Sequence, residues 1–203
     1  MIELYHGPTS NGQRAAVILE ESELPFKRRP VDLAKGENRT PEFLALNPAG
    51  LTPVLVDSEG PGSQRIVITQ SVAIMLYVAE KAGRFIPVDA VRRAQMRSWL
   101  LFVASDIAMT SGTIFQLEVM APEKSPASVA FFEKRLGRFL SVCDQALAGR
   151  EYLVDELSVA DFALYPNVAA RKALIERLGP MPNLLAWHER MHARPGVARG
   201  MQP

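Results

Sequence analysis

The stretch Asn47-Pro48-Ala49-Gly50-Leu51-Thr52-Pro53-Val54-Leu55, followed by Thr69-Gln70-Ser71 at the start of a helical pattern, is the most informative part of this chain. A proline just before an apolar strand has no backbone N–H, so Pro53 suits the first position of a strand or a cis turn that leaves neighbouring backbone groups free. An extended ligand can pair with such a turn. The alternative is an ordinary loop proline before a strand at 54–56, and these residues alone favour that alternative.

The first 82 residues alternate between strand and helix patterns. Ile2 and Leu4 alternate with polar neighbours as in a strand, and the apolar positions Ala15, Ile18 and Leu19 then follow helical spacing. The pattern predicts further strands at 26–31, 54–57 and 66–69, and further helices at 40–46 and 71–82. The predicted order is βαβαββα, an α/β domain with a parallel first pair of strands and a final hairpin.

The rest of the chain is predicted to be all-helical. Strand signals stop at residues 83–88, which we interpret as a linker between a domain at 1–82 and a helical-bundle domain at 89–203. Helical patterns cover 88–120, 125–147, 159–178 and 183–193, the third with a possible break near Pro166. Ser158 and Asp161 have the spacing of a helix capping box.

Composition excludes several classes of partner. The 203 residues carry 23 Lys plus Arg and 22 Asp plus Glu, a net charge of +1. This charge provides no strong positive potential to attract nucleic acid, so we expect no nucleic-acid partner. No run approaches the roughly 18 apolar residues of a membrane helix, so we expect no membrane partner. A single cysteine, Cys143, is consistent with a reducing compartment, and we predict a cytoplasmic location.

Several short segments are each weak evidence for a family, but their order and spacing together are specific to one family. They are 2–5, 9–14 (Thr-Ser-Asn-Gly-Gln-Arg), 41–48, Thr52-Pro53, Gln70-Ser71, 77–81, 158–161 and 182–195. On these residues the chain resembles the cytosolic glutathione S-transferase superfamily over nearly its whole length, and the Asn-Gly-x-Arg pattern is most similar to the bacterial Nu class. The resemblance implies a thioredoxin-like first domain, a helical second domain, and a homodimer.

The same resemblance implies an enzyme that uses glutathione and no metal. The expected activity is attack of the glutathione thiolate on a small hydrophobic electrophile. One alternative is a glutathione-dependent disulfide-bond reductase or peroxidase of the same fold, and another is a non-catalytic binding or regulatory protein. Residues 9–12 lack the Cys-x-x-Cys of a self-contained redox protein, so any reductase activity must use the thiol of bound glutathione.

The candidate catalytic residues are Thr9, Ser10 and Asn11. A cysteine thiol ionises near pH 8.5, so the protein must stabilise the thiolate with hydrogen-bond donors and a positive helix end. Serine-type relatives imply Ser10 as the donor, cysteine-type relatives imply the position of Asn11, and the Nu-like pattern implies Thr9 with Asn11. Ser10 and Gln13 also have capping-box spacing, and Tyr5 is expected to be a packing residue.

The resemblance also implies the residues that bind the rest of glutathione. Gln70 and Ser71 are expected at the γ-glutamyl end, and the backbone at Thr52 and Pro53 is expected to pair with the cysteinyl segment. Asn38 and Arg39 are expected near the glycyl carboxylate, with Arg39 favoured because Leu51 stands where relatives often have lysine. Gln70 lacks the charge that would pair with the γ-glutamyl ammonium, so a second subunit is expected to supply a partner.

The remaining candidates are weaker. A stripe on the first long helix is predicted to line the pocket for the second substrate, although at least half of it is expected to be core: Trp99, Phe102, Met109 and Thr113. Cys143 is expected to be a buried small hydrophobe. The i, i+4 pair His188 and His192 has no third metal ligand in sight, so these two and His6 are expected to be surface or cap residues.

Overall fold

The computed structural model describes residues 1–202 and divides into two compact units. The first unit contains Met1–Arg84 together with the segment from Ala193 onward, and the second contains Phe85–His192.

The first unit contains a four-stranded mixed sheet. Its strands are β1 (Ile2–His6), β2 (Phe26–Pro30), β3 (Val54–Asp57) and β4 (Ile66–Thr69), in the order β2-β1-β3-β4. β1 and β2 are parallel, and the other two pairs are antiparallel. This topology confirms the predicted thioredoxin-like order, because a helical crossover joins the parallel pair and a short loop joins the hairpin.

Three helices cover the sheet: α1 (Ser10–Ser22), α2 (Pro41–Leu46) and α3 (Ser71–Ala82). Alternate residues of β1 are buried, with Ile2, Leu4 and His6 on one face, while α1 and α3 pack against each other. On the other face, a core of Val31, Phe43 and Val54 packs with Tyr5, Leu46 and Val67. The structure thus places Tyr5 among packing residues.

The second unit is helical, with α4 (Ala90–Met120), α5 (Pro126–Ala146), α6 (Val159–Ala170), α7 (Lys172–Leu178) and α8 (Pro182–His192). The helical pattern predicted at 159–178 forms two helices, α6 and α7. The expected break near Pro166 was wrong, since Pro166 lies inside α6 and the chain breaks at Arg171. Arg171 leaves helical geometry, and its guanidinium donates to the hydroxyl and carbonyl oxygens of Ser111.

The helix α4 is interrupted by two π-turns, at Val103–Ile107 and Gln116–Met120. By length and composition alone, α4 is the one helix among the described residues that could cross a membrane. Its most apolar 18-residue window has a mean hydropathy of 1.4, and 33% of that window is buried. The sequence showed no continuous apolar run of that length, because polar residues such as Ser105 and Thr110 interrupt it.

The predicted capping box of α6 is confirmed. The carboxylate of Asp161 accepts hydrogen bonds from the backbone N–H and hydroxyl of Ser158, at 3.0 Å each, and from Trp187 Nε1 at 3.0 Å. Leu153 N–H donates to the same buried carboxylate at 3.1 Å. Asp161 therefore joins the start of α6 to α8 and to the preceding loop.

A last helix, α9 (Pro195–Gly200), packs on α1 and belongs to the first unit. The buried carboxylate of Glu21 accepts from Arg194 Nη2 at 2.7 Å and from the N–H of Val197 at 3.1 Å. The predicted boundary at 89–203 placed this segment in the helical domain. In the structure this segment groups with the first unit, where α9 packs on α1 and the Arg194–Glu21 ion pair joins the two.

Candidate glutathione site

Strand register brings three of the predicted segments to one end of the sheet. Tyr5 is paired with Val54, and Val54 is paired with Thr69. The turn after β1, the Thr52–Pro53 step before β3 and the Gln70–Ser71 step after β4 therefore lie side by side. We call this the donor end of the sheet, because its free hydrogen-bonding groups are mostly donors.

The start of α1 is capped by Thr9. Thr9 has an extended backbone, with φ −111° and ψ 154°, and its Oγ1 accepts from the N–H of Gly12 at 3.1 Å. The predicted capping box between Ser10 and Gln13 was wrong, because Ser10 is already the first helical residue and the side chain of Gln13 donates to the carbonyl of Met201. The helix is thus capped one residue earlier than expected.

Several donors remain open at this helix start. The first backbone bond of α1 joins Gln13 N–H to Thr9 O at 2.8 Å, so within residues 1–202 the N–H groups of Ser10 and Asn11 form no hydrogen bond. The Ser10 hydroxyl also forms none there, and the Thr9 hydroxyl proton is still available for donation. The first turn contains no acidic residue. The positive end of the helix dipole is therefore not neutralised, which favours an anion.

Gly12 sets how closely α1 approaches β1. A Cβ at this position would lie 2.3 Å from the carbonyl oxygen of Gly7 and 3.3 Å from the Cβ of His6. Only glycine allows this approach, which explains the glycine of the Asn-Gly-x-Arg pattern in physical terms. Gly12 thereby fixes the position of the open donors relative to the end of β1.

The start of α3 differs from that of α1 because no side chain caps it. Gln70 precedes the helix with φ 71° and ψ 119°, a conformation that is strained for a residue other than glycine. The first backbone bond joins Ile74 N–H to Gln70 O, so the three preceding N–H groups and the hydroxyl of buried Ser71 have no partner among the described residues. The first turn of this 12-residue helix contains no acidic residue. Such a helix start is suited to binding a carboxylate.

The third segment of the donor end is the turn before β3. The peptide bond between Thr52 and Pro53 is cis, one of the two arrangements predicted for this proline. The backbone N–H and C=O of Thr52 form no hydrogen bond within residues 1–202. They are available to an extended peptide in the way that the edge of a strand is.

Asn38 and Arg39 support the loop that leads into this turn. Asn38 Nδ2 donates to the carbonyl of Gly50 at 2.7 Å, and Arg39 Nη1 donates to that of Ala49 at 3.4 Å. Inside the same loop, Asn47 Nδ2 donates to the carbonyl of Leu51 at 2.6 Å. Asn47 was not among the predicted site residues, although an Asn-Pro step is typical of a turn. The exposed guanidinium of Arg39 keeps further donors, and its contact with a glycyl carboxylate stays a prediction.

The stripe predicted on α4 divides between packing and exposure. Trp99 and Phe102 are partly buried and form an edge-on pair at 5.9 Å, and Phe102 forms another with Phe139 at 5.5 Å. Met109 is 64% exposed, and the hydroxyl of Thr113 donates to its carbonyl. About half of the stripe therefore packs within the helical unit, and the role of the rest as a substrate pocket stays a prediction.

The cysteine and the histidines are not among the open hydrogen-bond donors of the donor end. Burial raises the pKa of Cys143 to about 12, so its thiol is unreactive near neutral pH. The expectation that all histidines are surface or cap residues was wrong for two of them, since His6 and His188 are buried and burial lowers the pKa of each. Among residues 1–202, no cluster of three or more His, Cys, Asp or Glu side chains has the arrangement of a metal site.

The fold and this site together define a class of protein. The chain combines a thioredoxin-like domain, in which two open helix starts lie beside a free backbone segment, with a helical unit. The chain belongs to the glutathione S-transferase family. Residues 10–81 match the glutathione S-transferase N-terminal domain, and residues 110–200 match the C-terminal domain.

Known proteins similar over the whole chain extend this assignment. The disulfide-bond oxidoreductase YfcG of Escherichia coli K12 is 32% identical, covering 99% of this chain and 94% of the relative. Glutathione S-transferase 3 of Zea mays is 34% identical, covering 98% and 92%. A glutathione transferase of Pseudomonas putida, solved with one glutathione disulfide bound per subunit, has a TM-score of 0.92 at 28% identity, covering 99% of this chain and 90% of that one.

Proposed function

We propose that this protein binds glutathione at the donor end of the sheet and activates its thiol as a thiolate. The observation that carries this proposal is the open start of α1, where the side chains of Thr9, Ser10 and Asn11 and two free N–H groups surround a helix end without acidic residues. Hydrogen bonds to a thiolate favour the charged form and lower the thiol pKa. No metal is needed for this step.

The other groups at this end account for the rest of glutathione. In this proposal, the Ser71 hydroxyl and the free N–H groups of α3 receive the γ-glutamyl carboxylate, with Gln70 beside them. The backbone of Thr52, held by Pro53, pairs with the cysteinyl segment, and Asn38 and Arg39 lie toward the glycyl carboxylate. The support is that each group is open among the described residues or keeps unused donors.

The substrate we favour is a disulfide. The glutathione thiolate attacks one sulfur of the disulfide, the S–S bond breaks, and the other sulfur leaves as a thiolate that takes up a proton. A second glutathione then attacks the mixed disulfide and releases glutathione disulfide and the second product thiol. The E. coli relative is named a disulfide-bond oxidoreductase and the P. putida relative holds glutathione disulfide, which supports this choice. Buried Cys143 is not suited to the chemistry.

Transfer of glutathione to a small hydrophobic electrophile is the second candidate. The Zea mays relative, named a glutathione S-transferase, supports it, as does the exposed part of the α4 stripe. Both reactions begin with the same thiolate and differ only in the second substrate. We also propose membership of the Nu class, which the Asn11-Gly12-x-Arg14 pattern supports.

We further propose a cytoplasmic homodimer. Gln70 is uncharged, so the γ-glutamyl ammonium needs a partner that a second subunit would supply. Large apolar side chains exposed along α4 support an interface between copies. They are Leu101, Phe115, Val119 and Met120. Light scattering should give about twice the 22.4 kDa chain mass, and an active monomer at micromolar concentration would remove the dimer from the proposal.

One set of measurements tests the function. Glutathione should raise the melting temperature, because a ligand that binds only the folded state stabilises it by mass action. Turnover is then compared for a small disulfide, a peroxide and an aryl halide, each with glutathione. Highest efficiency with the disulfide is expected, whereas highest efficiency with the aryl halide would favour the transferase. No thermal shift at millimolar glutathione would contradict the whole proposal.

A further inference from the structure

The side chain of Asn11 lies one helical turn before a buried arginine. Arg14 is only 1% exposed, and its Nη1 donates to Oδ1 of Asn11 at 3.0 Å. A guanidinium can only donate, whereas a carboxamide has one accepting oxygen and one donating NH2 group. The contact therefore fixes the orientation of the amide, with the oxygen toward Arg14 and the NH2 group away from it.

The position of Asn11 makes this orientation consequential. Asn11 is the second residue of α1 and is exposed, beside the open N–H groups of the helix start. A freely rotating amide would present its oxygen to an anion as readily as its NH2 group, and ordering it upon binding would cost conformational entropy. The contact with Arg14 removes both disadvantages before any ligand arrives.

The guanidinium of Arg14 stays charged at the pH at which a bound thiol would ionise. Burial lowers the pKa of Arg14 to about 10, which still leaves the guanidinium protonated at neutral pH. The hydrogen bond to Asn11 is therefore charge-assisted through the pH range in which a bound thiol would ionise.

We propose that Arg14 is a positioning residue for the thiol chemistry, holding Asn11 so that its NH2 group donates to the thiolate of bound glutathione. Arg14 lowers the thiol pKa through Asn11 rather than by a contact of its own. This inference rests on the proposed function and adds to it a residue that was not among the predicted site residues.

A double-mutant cycle of Arg14→Met and Asn11→Ala tests the coupling. For each variant, calorimetry gives the glutathione affinity and the thiolate ultraviolet absorbance gives the pKa of the bound thiol. Arg14→Met should raise that pKa by about one unit, roughly a tenfold loss of thiolate at a fixed lower pH. Asn11→Ala should do the same, and the double variant should show no further rise. An equal additional rise in the Asn11→Ala background, or no rise with Arg14→Met, would overturn the proposal.

Two matched variants separate positioning from general damage to α1. Arg14→Lys keeps a cationic donor and should restore most of the lowered thiol pKa. Gln13→Met removes a side-chain hydrogen bond from the same helix, that to the carbonyl of Met201, without touching Asn11. It should leave the thiol pKa unchanged, and a rise as large as that of Arg14→Met would contradict a specific role for Arg14.

A measurement on the unaltered protein decides the matter if Arg14→Met does not fold. The side-chain NH2 resonances of Asn11 should move with pH in the glutathione complex, with the same midpoint as the thiolate absorbance, and should not move with S-methylglutathione, which has no thiol. Asn11 NH2 chemical shifts that do not change as the thiol titrates would overturn the proposal. If the parent protein does not bind glutathione at all, the proposed function itself fails. If it binds and lowers the thiol pKa without coupling, only the role of Arg14 fails.

Discussion

The two ends of the four-stranded sheet differ in whether their polar groups are paired. At the donor end, the N–H groups of Ser10 and Thr52 and the hydroxyl of Ser71 have no partners among the described residues. At the other end, which we call the Asp57 end, the buried carboxylate of Asp57 accepts from Tyr77 at 2.7 Å and from Lys81 at 2.6 Å. One end contributes stability, and the other keeps open the groups that a ligand would satisfy.

The largest effect is expected at the Asp57 end. Asp57→Asn removes the charge that pairs with Lys81 and is expected to destabilise the fold by about 1.5 to 3 kcal/mol, because the buried carboxylate loses charge-assisted hydrogen bonds. Denaturant unfolding measures this. The two ends are separate in function only if calorimetry finds glutathione affinity unchanged in the folded variant, and a tenfold loss of affinity would contradict the comparison.

The same carboxylate predicts a pH dependence. Hydrogen bonds from Lys81 and Tyr77 outweigh burial and lower the pKa of Asp57 from 3.8 to about 2. Because the folded-state pKa is depressed, the stabilisation is present above about pH 4 and is lost as the pH falls toward 2. Asp57→Asn should flatten this part of the stability profile. If the variant lost stability between pH 4 and pH 2 as the parent protein does, the ion pair between Asp57 and Lys81 would not be its cause.

The next effect concerns the close approach of α1 to β1. Gly12→Ala places a Cβ 2.3 Å from the carbonyl oxygen of Gly7, so we expect a loss of about 1 to 3 kcal/mol and a raised pKa of bound glutathione. The matched control is Gly112→Ala in α4, where nothing lies within 4 Å. The control should be neutral or stabilising by up to about 1 kcal/mol. Equal losses in both variants would show that helix context, not the approach to β1, matters.

A comparable effect is expected from the thiol donors. Removing the principal donor should raise the apparent pKa of bound glutathione by roughly one to two units, since a charge-assisted hydrogen bond contributes about 1.5 to 3 kcal/mol. The pH dependence of catalytic efficiency is measured for Thr9→Val, Ser10→Ala and Asn11→Ala. Thr9→Val also removes a helix cap, so about 1 kcal/mol of stability should be lost with it. If no variant moves the profile, the helix end alone activates the thiol.

The smallest effect tests the start of α3. Ser71→Ala is expected to weaken glutathione binding roughly tenfold through loss of one hydrogen bond to a carboxylate. Its melting temperature without ligand should change little, because the hydroxyl has no partner among the described residues. Cys143→Ala is the control and should leave affinity unchanged. Loss of binding in the cysteine variant, with the fold intact, would contradict the inert role given to Cys143.

Much of the fold could be predicted from the sequence, because local patterns determine it. Apolar alternation in Ile2 to Tyr5 and helical spacing after Ser10 depend only on neighbouring residues, as does the spacing of Ser158 and Asp161. The wrong details were the capping residue of α1, the break near Pro166 and the exposure of His6 and His188. Each depends on what another element places against that residue, which periodicity does not report.

The sequence alone determined the order of elements, the family and the segments that form the candidate site. Only the tertiary structure decided that Thr9 rather than Ser10 caps α1, that α9 returns to the first unit, and that Arg14 binds the amide oxygen of Asn11. The physical reason is that backbone preference and hydrophobic period act over a few residues. Hydrogen-bond satisfaction and close packing, by contrast, depend on groups that meet only when the chain has folded.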